Sequence, residues 1–246
     1  MAAAHPQRRA LSACRKIFRK AEVGLIVLPP QKNLGRESCH PKKNHRSDQT
    51  WTAHVNKAAI KKAIYELLCA VGENPHRAGL SATPERVTEL ISDLLSGTSV
   101  DPITVLESAR PVDAERAERG ELVAVKGIRF ISVCEHHLLP FEGKATVVYQ
   151  PEKSIVGFGT LARLVEVASR RLQLQERLGQ VVAAALVESQ VARGSYVQLS
   201  SVHGCVAYRG PSQNLTSVTV AIGGSLETGT LREEAAALAS TVEKNE

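Results

Sequence analysis

The sequence of 246 residues lacks a long hydrophobic run, a dense set of cysteines and a Gly/Pro-rich composition. No stretch approaches the roughly 18 consecutive apolar residues of a membrane-spanning helix, so we expect no contact with a membrane. Five cysteines, an odd number spread thinly, argue against a disulfide framework and favour a reducing compartment, which predicts a cytoplasmic protein. With 17 glycines, 11 prolines and 43% hydrophobic residues, the composition excludes a fibrous protein and supports a globular core.

The positive charge of the chain is concentrated at its N-terminus. The net charge is +6, yet residues 1–50 contain 11 Lys and Arg against three acidic residues, which leaves a mildly acidic remainder. This distribution predicts a basic leader without fixed structure over residues 1–50, followed by a separately folded body over 51–246. A cleaved targeting segment and an arm for an anionic partner are the alternatives for the leader. For the body, nucleic acid is not expected as a partner.

The spacing of apolar residues predicts helices first and strands later in the body. One helix is predicted to end at Gly72, and a second to begin at Thr83 as N-cap, with Pro84 at its first position. Further helices are predicted around 161–168 and 178–186, and strands over 122–131, 144–150, 196–202, 205–209 and 215–222. This order predicts an α+β fold with an antiparallel sheet.

Two separated clusters contain most of the residues capable of chemistry: Cys134-Glu135-His136-His137 and His203-Gly204-Cys205. The C-x-x-H pair places two metal ligands on one tight turn. A third ligand from Cys205 would complete a catalytic zinc site that keeps a position for water. Spacing alone does not decide which histidine of the pair is the ligand. The alternative is that both cysteines are small buried hydrophobic residues and the histidines are ordinary hydrogen-bonded side chains.

The histidines that do not bind metal are candidates for proton transfer. On a strand, the i and i+2 positions of His203 and Cys205 would face the same side, so His203 would point into the metal pocket. Zinc-bound water has a pKa of about 7, near that of imidazole, so these groups could exchange protons at neutral pH.

Polar residues also interrupt an apolar, Leu-rich stretch at Gln173, Gln175, Glu176 and Arg177. A Gln-Glu pair can recognise the donor edge of guanine, and flanking arginines such as Arg163 and Arg209 can bind phosphate oxygens bidentately. For Glu176 and Arg177 a solvated helix face is the alternative. No P-loop is present, and the G-x-G at residues 157–159 follows no Rossmann pattern, so a Gly-rich phosphate loop is not expected.

Three motifs in this order resemble the GTP cyclohydrolase I family. They are SVCEHHLLPF at 132–141, LQLQERL at 172–178, and VHGC at 202–205 with Arg209-Gly210. An earlier signature, Gly79-Leu80 and TPERV at 83–87, extends the similarity from about residue 55 to about 238. The resemblance implies the T-fold, an antiparallel sheet backed by helices, over 116–246, with N-terminal helices over 51–115. It also implies assembly into a ring, usually a homodecamer, with active sites at subunit interfaces.

The resemblance further implies a zinc-dependent reaction that converts GTP to 7,8-dihydroneopterin triphosphate and formate, the first step of pterin and tetrahydrofolate biosynthesis. The residues implied are Cys134, His137 and Cys205 as zinc ligands, His136 and His203 for proton transfer, Gln175 and Glu176 for guanine, and Arg163, Arg209 and Arg86 for the triphosphate.

The sequence departs from the family pattern just before Leu161-Ala162-Arg163. Gly159 and Thr160 stand where the family usually has Ser-Lys, and Glu89 stands where some members have a basic residue. Loss of one charge-assisted phosphate contact costs about 1.5 to 3 kcal/mol, equivalent to roughly tenfold to more than a hundredfold in affinity. Two alternatives therefore remain: a paralogue acting on a guanine nucleotide with fewer phosphates, and a catalytically silent T-fold subunit.

Overall fold

A computed structural model describes residues 55–108, 110–111, 121–152, 154–209, 212–213 and 215–240. The leader predicted over residues 1–50 and the boundary predicted at 115/116 lie outside these residues. Among the described residues, no helix is both long enough and apolar enough to span a membrane.

The main sheet has five strands in the order β5-β2-β3-β6-β7. The strands are β2 (Val123–Cys134), β3 (Pro140–Pro151), β5 (Leu172–Gln173), β6 (Ala192–His203) and β7 (Thr216–Gly224). Strands β2, β3, β6 and β7 pair antiparallel, as predicted, while β5 pairs in parallel with the end of β2. A second sheet joins β1 (Arg110–Pro111) to β4 (Ser154–Ile155).

Helices cover both faces of this sheet. They are α1 (Lys57–Ala70), α2 (Thr83–Leu94), α3 (Phe158–Ser169), α4 (Gln175–Glu188), α5 (Gly204–Ala207) and α6 (Thr230–Ser240), with a 3₁₀ helix at Pro102–Ser108. Side chains alternate between the faces of a strand. Thus Val147 belongs to the large core beneath α3 and α4, while its neighbour Val148 packs with Ala235 of α6 and with Leu226, which precedes that helix.

The two N-terminal helices form a hairpin that is only lightly buried. No residue of α1 is buried, and Leu67, Val71 and Leu90 are exposed. An ion pair between Lys61 and Glu85 links the helices. The N-cap of α2 is Ala82, which provides no side-chain hydrogen bond, so the prediction of Thr83 as N-cap is wrong by one residue.

Arg171 attaches the segment after α2 to the end of α3. Its guanidinium donates hydrogen bonds to the carbonyl oxygens of Gly97 (2.6 Å), Val100 (2.9 Å) and Val167 (3.2 Å). Hydrogen bonds from a charged donor to carbonyls hold a loop more firmly than neutral ones. This arginine therefore fixes the path of the chain from the helical hairpin to the main sheet.

Candidate active site

Two cysteines and a histidine from the two predicted clusters come together in the folded chain. One ligand atom each of Cys134, His137 and Cys205 lies within 4.8 Å of the other two. The Sγ atom of Cys134 is 3.9 Å from Nδ1 of His137. No second group of this kind occurs in the described ranges of the chain. Residues that are 71 positions apart in sequence thus form one potential metal centre.

The turn between β2 and β3 carries the first two members of this cluster. Strand β2 ends at Cys134, and its carbonyl oxygen accepts a hydrogen bond from the amide of Leu138 (2.9 Å), while its amide donates to the carbonyl of Leu139 (2.9 Å). Leu138 has a φ of 54°, in the left-handed region that sharply reverses the chain. The C-x-x-H spacing therefore corresponds to one tight turn, as predicted.

The third member, Cys205, lies on a helical turn and not on a strand. Strand β6 ends at His203, and the amide of Tyr208 donates to the carbonyl of Gly204 within α5. The strand predicted over 205–209, and with it the argument that His203 and Cys205 share one strand face, is wrong. Gly204 allows the reversal because a Cβ at this position would lie 2.8 Å from the carbonyl oxygen of Pro140.

The donor set fits a zinc ion. Burial raises the pKa of the Cys205 thiol, and the neighbouring Cys134 raises it further. Two thiols this close disfavour a second thiolate, and a divalent cation between them reverses that preference. Two sulfur atoms and one imidazole nitrogen are ligands that zinc takes in catalytic sites, where a fourth position stays open. The cluster also has access from outside, since His137 is exposed and Cys205 half-buried while Cys134 is buried.

His203 is held on two sides next to this cluster. Its ring stacks on Phe141, with centroids 4.5 Å apart and an angle of 2° between the planes. Its Nε2 atom lies 2.8 Å from Oε1 of Gln175. Burial lowers the pKa of His203, and the carboxylate of Glu176 opposes this effect. His136, in contrast, is exposed, and its ring lies edge-on to His137 at 6.1 Å.

The side chain of Gln175 is buried and fully hydrogen-bonded within the protein. Its amide nitrogen donates to the carbonyl oxygens of Leu199 (3.2 Å) and Ser217 (3.1 Å). Its Oε1 accepts from the hydroxyl of Ser201 (2.8 Å) in addition to its contact with His203. All four hydrogen-bonding positions of the amide are occupied. This geometry makes Gln175 a positioning group for His203 and argues against its predicted role in binding guanine.

Glu176 is the exposed neighbour of this buried glutamine, in the first turn of α4. It lines a cavity of about 420 Å³ together with His203, Leu215 and Thr216. A carboxylate that reaches solvent beside His203 is free to accept hydrogen bonds from a ligand. Of the two residues predicted to bind guanine, only Glu176 has this freedom.

An ion pair that sequence analysis missed connects the turn to α4. Arg177 donates to both carboxylate oxygens of Glu135, at 2.5 and 3.3 Å, and this contact lowers the pKa of Glu135. Because both side chains are solvent-accessible, the pair contributes little to the stability of the fold. Its effect is geometric, since Glu135 lies between Cys134 and His136. The sequence motifs did not indicate this ion pair, because Glu135 and Arg177 are equally consistent with ordinary solvent-exposed side chains.

The three predicted phosphate-binding arginines are distributed differently. Arg209 is exposed and close enough to Cys205 to lower the pKa of that thiol slightly. Arg163 lies on α3, 2.8 Å from Glu166, and lines a cavity other than the one that contains Glu176 and His203. Arg86 is exposed on α2, which packs mainly on α1. A single chain therefore gathers the metal-binding residues but separates Arg163 from them.

The role of Gly204 provides a test of the metal centre. In Gly204→Ala the new methyl group would collide with the Pro140 carbonyl and shift the turn that carries Cys205. We expect zinc affinity, measured by competition with a chromophoric chelator, to fall by about 10- to 100-fold, as for other changes that disturb a ligand's support. Gly159→Ala is the matched control, because nothing lies within 4 Å of a Cβ there. Equal affinities in the two variants would contradict the proposed geometry.

Comparison with known proteins identifies the family. The family model described as GTP cyclohydrolase I matches residues 60–240. The chain is 42% identical over 184 residues to GTP cyclohydrolase 1 of Leifsonia xyli, covering 74% of this chain and 95% of that protein. It is 42% identical over 204 residues to GTP cyclohydrolase 1 of Bifidobacterium longum (82% and 96% covered), and 44% identical over 171 residues to that of Streptococcus agalactiae (68% and 89% covered). The chain therefore belongs to the GTP cyclohydrolase I family.

Proposed function

We propose that this protein converts GTP and water to 7,8-dihydroneopterin triphosphate and formate, the reaction that opens pterin and tetrahydrofolate biosynthesis. The observation that carries the proposal is the Cys134-His137-Cys205 cluster with His203 beside it and Glu176 in the adjoining cavity. These residues supply a metal site, a proton-transfer group and an acceptor for the base. The cytoplasmic location expected from the sequence stays a prediction.

In this reaction each residue of the chain has a limited task. Glu176 accepts hydrogen bonds from the N–H groups of guanine and orients its five-membered ring towards the cluster. A zinc ion held by Cys134, His137 and Cys205 would supply Lewis acidity and lower the pKa of water. His203, whose Nε2 atom is occupied by Gln175, uses its other ring nitrogen to transfer protons as the imidazole ring of guanine opens and formate leaves.

His136 is the second candidate for proton transfer in this reaction. Its side chain is exposed on the turn, next to the buried end of β2. The neighbouring Glu135–Arg177 pair restricts how far this turn can move. Solvent-facing His136 can thus exchange protons with water between turnovers, which the buried contacts of His203 hinder.

A second copy of the chain would complete the site, in a ring whose expected size is ten subunits. Two features support this assembly. Arg163 lines a different cavity from Glu176, which is consistent with a site in which a neighbouring copy supplies Arg163 to the triphosphate of a GTP bound at Glu176. Strand β7, at one edge of the sheet, exposes Val218 and Val220, and Leu215, just before this strand, is also exposed and lines the cavity of Glu176. Apolar residues exposed on an edge strand favour association with another copy.

A substrate with fewer phosphates is the second candidate, and the specific observation behind it is the absence of a cation at Gly159 and Thr160. A silent subunit is less well supported, because the cluster and both histidines are present. The nucleotide preference separates these possibilities directly.

Formate release from GTP, GDP and GMP, together with pterin fluorescence, tests the function. We expect a clear preference for GTP, and a loss of about 10²- to 10⁴-fold in His203→Ala, because general acid–base catalysis contributes that much. His76→Ala is the control, since His76 is exposed between α1 and α2 and its ring hydrogen-bonds to Tyr65, away from the cluster. Unchanged formate release in His203→Ala would refute the catalytic assignment, and a preference for GMP would favour the paralogue.

The shared site predicts complementation between inactive variants. Arg163→Ala and His203→Ala should each be impaired alone, because each removes one half of every site. Random mixing of the two chains should restore about a quarter of the sites, which then combine an intact Arg163 with an intact His203 from different copies. A mixture of His203→Ala with Cys205→Ser should recover nothing, since both changes affect the same half. Failure of the first mixture to recover, in assemblies shown to contain both chains, would mean that Arg163 acts elsewhere.

A further inference from the structure

A cavity of about 740 Å³ that is lined by several basic side chains lies between α3 and strands β2 and β3. Four cationic side chains line it, Arg129, Lys144, Arg163 and Arg170, against two carboxylates, Glu142 and Glu166. The cavity therefore has an excess of positive charge. Its size is in the range of small-molecule sites.

Two of the four cations share one carboxylate as their ion-pair partner. Glu166 lies 2.8 Å from Arg163 and 3.9 Å from Arg170, so this one carboxylate is shared by Arg163 on α3 and Arg170 at the C-cap of that helix. Arg170 also donates to the carbonyl oxygen of Asp93, which ties it to α2. These contacts give the arginines of the helix a structural partner in the absence of any ligand.

The other two cations, Arg129 and Lys144, have no such partner. They lie directly opposite each other in the β2–β3 ladder, and both are exposed. Neither makes an ion pair or a side-chain hydrogen bond with any described residue. Like charges placed opposite each other destabilise a sheet, and the cost is removed when an anion binds between them. This pair is thus arranged for a ligand that carries several negative oxygens.

Helix α3 contributes no cation to this cavity at positions 159 and 160, where the resembled family usually has Ser-Lys. Gly159 lines the cavity, and open space surrounds the position that its Cβ would occupy. A side chain would fit there, yet this chain has none, and the next residue is the uncharged Thr160. The basic residues of this cavity that lack an ion-pair partner, Arg129 and Lys144, therefore come from its sheet side.

We propose that Arg129 and Lys144 bind the phosphate chain of GTP together with Arg163, and so replace the charge that positions 159 and 160 lack. The guanidinium of Arg129 offers a planar pair of donors for two phosphate oxygens, and the ammonium of Lys144 acts as a point charge beside it. The inference rests on the proposed function, since it takes GTP as the ligand. Its consequence is that this chain keeps a preference for the triphosphate despite Gly159 and Thr160.

Steady-state kinetics of the full-length protein test the inference. Arg129→Gln and Lys144→Gln each remove a charge from an exposed side chain, and we expect each to raise the KM for GTP about tenfold or more while kcat stays within about twofold. The preference for GTP over GMP should fall by the same factor. Arg193→Gln is the matched control, because Arg193 is an exposed arginine on β6 that does not line this cavity, and its KM should not change.

A rescue variant separates a phosphate contact from a general effect on the sheet. Adding Gly159→Lys to Arg129→Gln places a cation on the opposite wall of the cavity and should recover most of the lost affinity. An unchanged KM in both Gln variants, with wild-type protein active on GTP, would overturn the inference and leave the proposed function intact. An increase that Gly159→Lys does not reduce would assign Arg129 to the stability of the sheet and would also overturn it.

Binding of inorganic triphosphate, measured by calorimetry, covers the case in which the wild-type protein releases no formate from GTP. That result would refute the proposed function. Triphosphate binding that is lost in Arg129→Gln and Lys144→Gln but kept in Arg193→Gln would still support an anion site here. Equal binding in all four proteins, or no binding in any, would refute the site itself.

Discussion

The pairing of β3 with both β2 and β6 is the constraint on which the site depends. Antiparallel pairing brings the end of β2, the start of β3 and the end of β6 to one end of the sheet. Cys134, at the end of β2, and Cys205, just after the end of β6, are therefore neighbours. The register also places Phe141 opposite His203, which produces the stacked rings. A slip of one residue in either ladder would turn these side chains to the other face.

The surrounding structure fixes this end of the sheet through polar side chains. Gln175 extends from the start of α4 and joins the carbonyl groups of β6 and β7 to Ser201 and His203. The Glu135–Arg177 ion pair likewise connects the metal-binding turn to α4, on the solvent-exposed side. Three consecutive residues of α4 thus have different contacts. Gln175 is buried and positions His203, Glu176 lines the cavity, and Arg177 pairs with Glu135 on the metal-binding turn. Such support determines how accurately a catalytic group is placed.

Most of the strands and helices, and the metal-binding cluster, could be predicted from the sequence. Alternating and helical apolar patterns identified the main strands and helices, because burial on one face leaves a period in the sequence. The C-x-x-H motif indicated a tight turn with two ligands, because its spacing is local. The pairing of the two clusters indicated Cys205 as the third ligand, and the family resemblance added the choice of His137, which spacing had left open.

The errors and omissions concern contacts between distant residues. The apolar run after Gly204 looked like a strand, yet the close approach of the Pro140 carbonyl, which only the β3–β6 register reveals, turns the chain into α5. Gln175 read as a ligand-binding residue because its partners, Leu199 and Ser217, are strand carbonyls far along the sequence. The separation of Arg163 from the metal cluster follows from the position of α3 on the sheet. No local pattern encodes that distance.

The metal content of the purified full-length protein tests the central claim most directly, namely that Cys134, His137 and Cys205 form a zinc site. Elemental analysis should find about one zinc ion per chain in the wild-type protein, and close to none in Cys134→Ser, because a hydroxyl is a much poorer ligand for zinc than a thiolate. Cys69→Ser, which changes an exposed cysteine outside the cluster, should keep the full amount. Wild-type protein without zinc, or zinc retained equally in Cys134→Ser, would contradict the account.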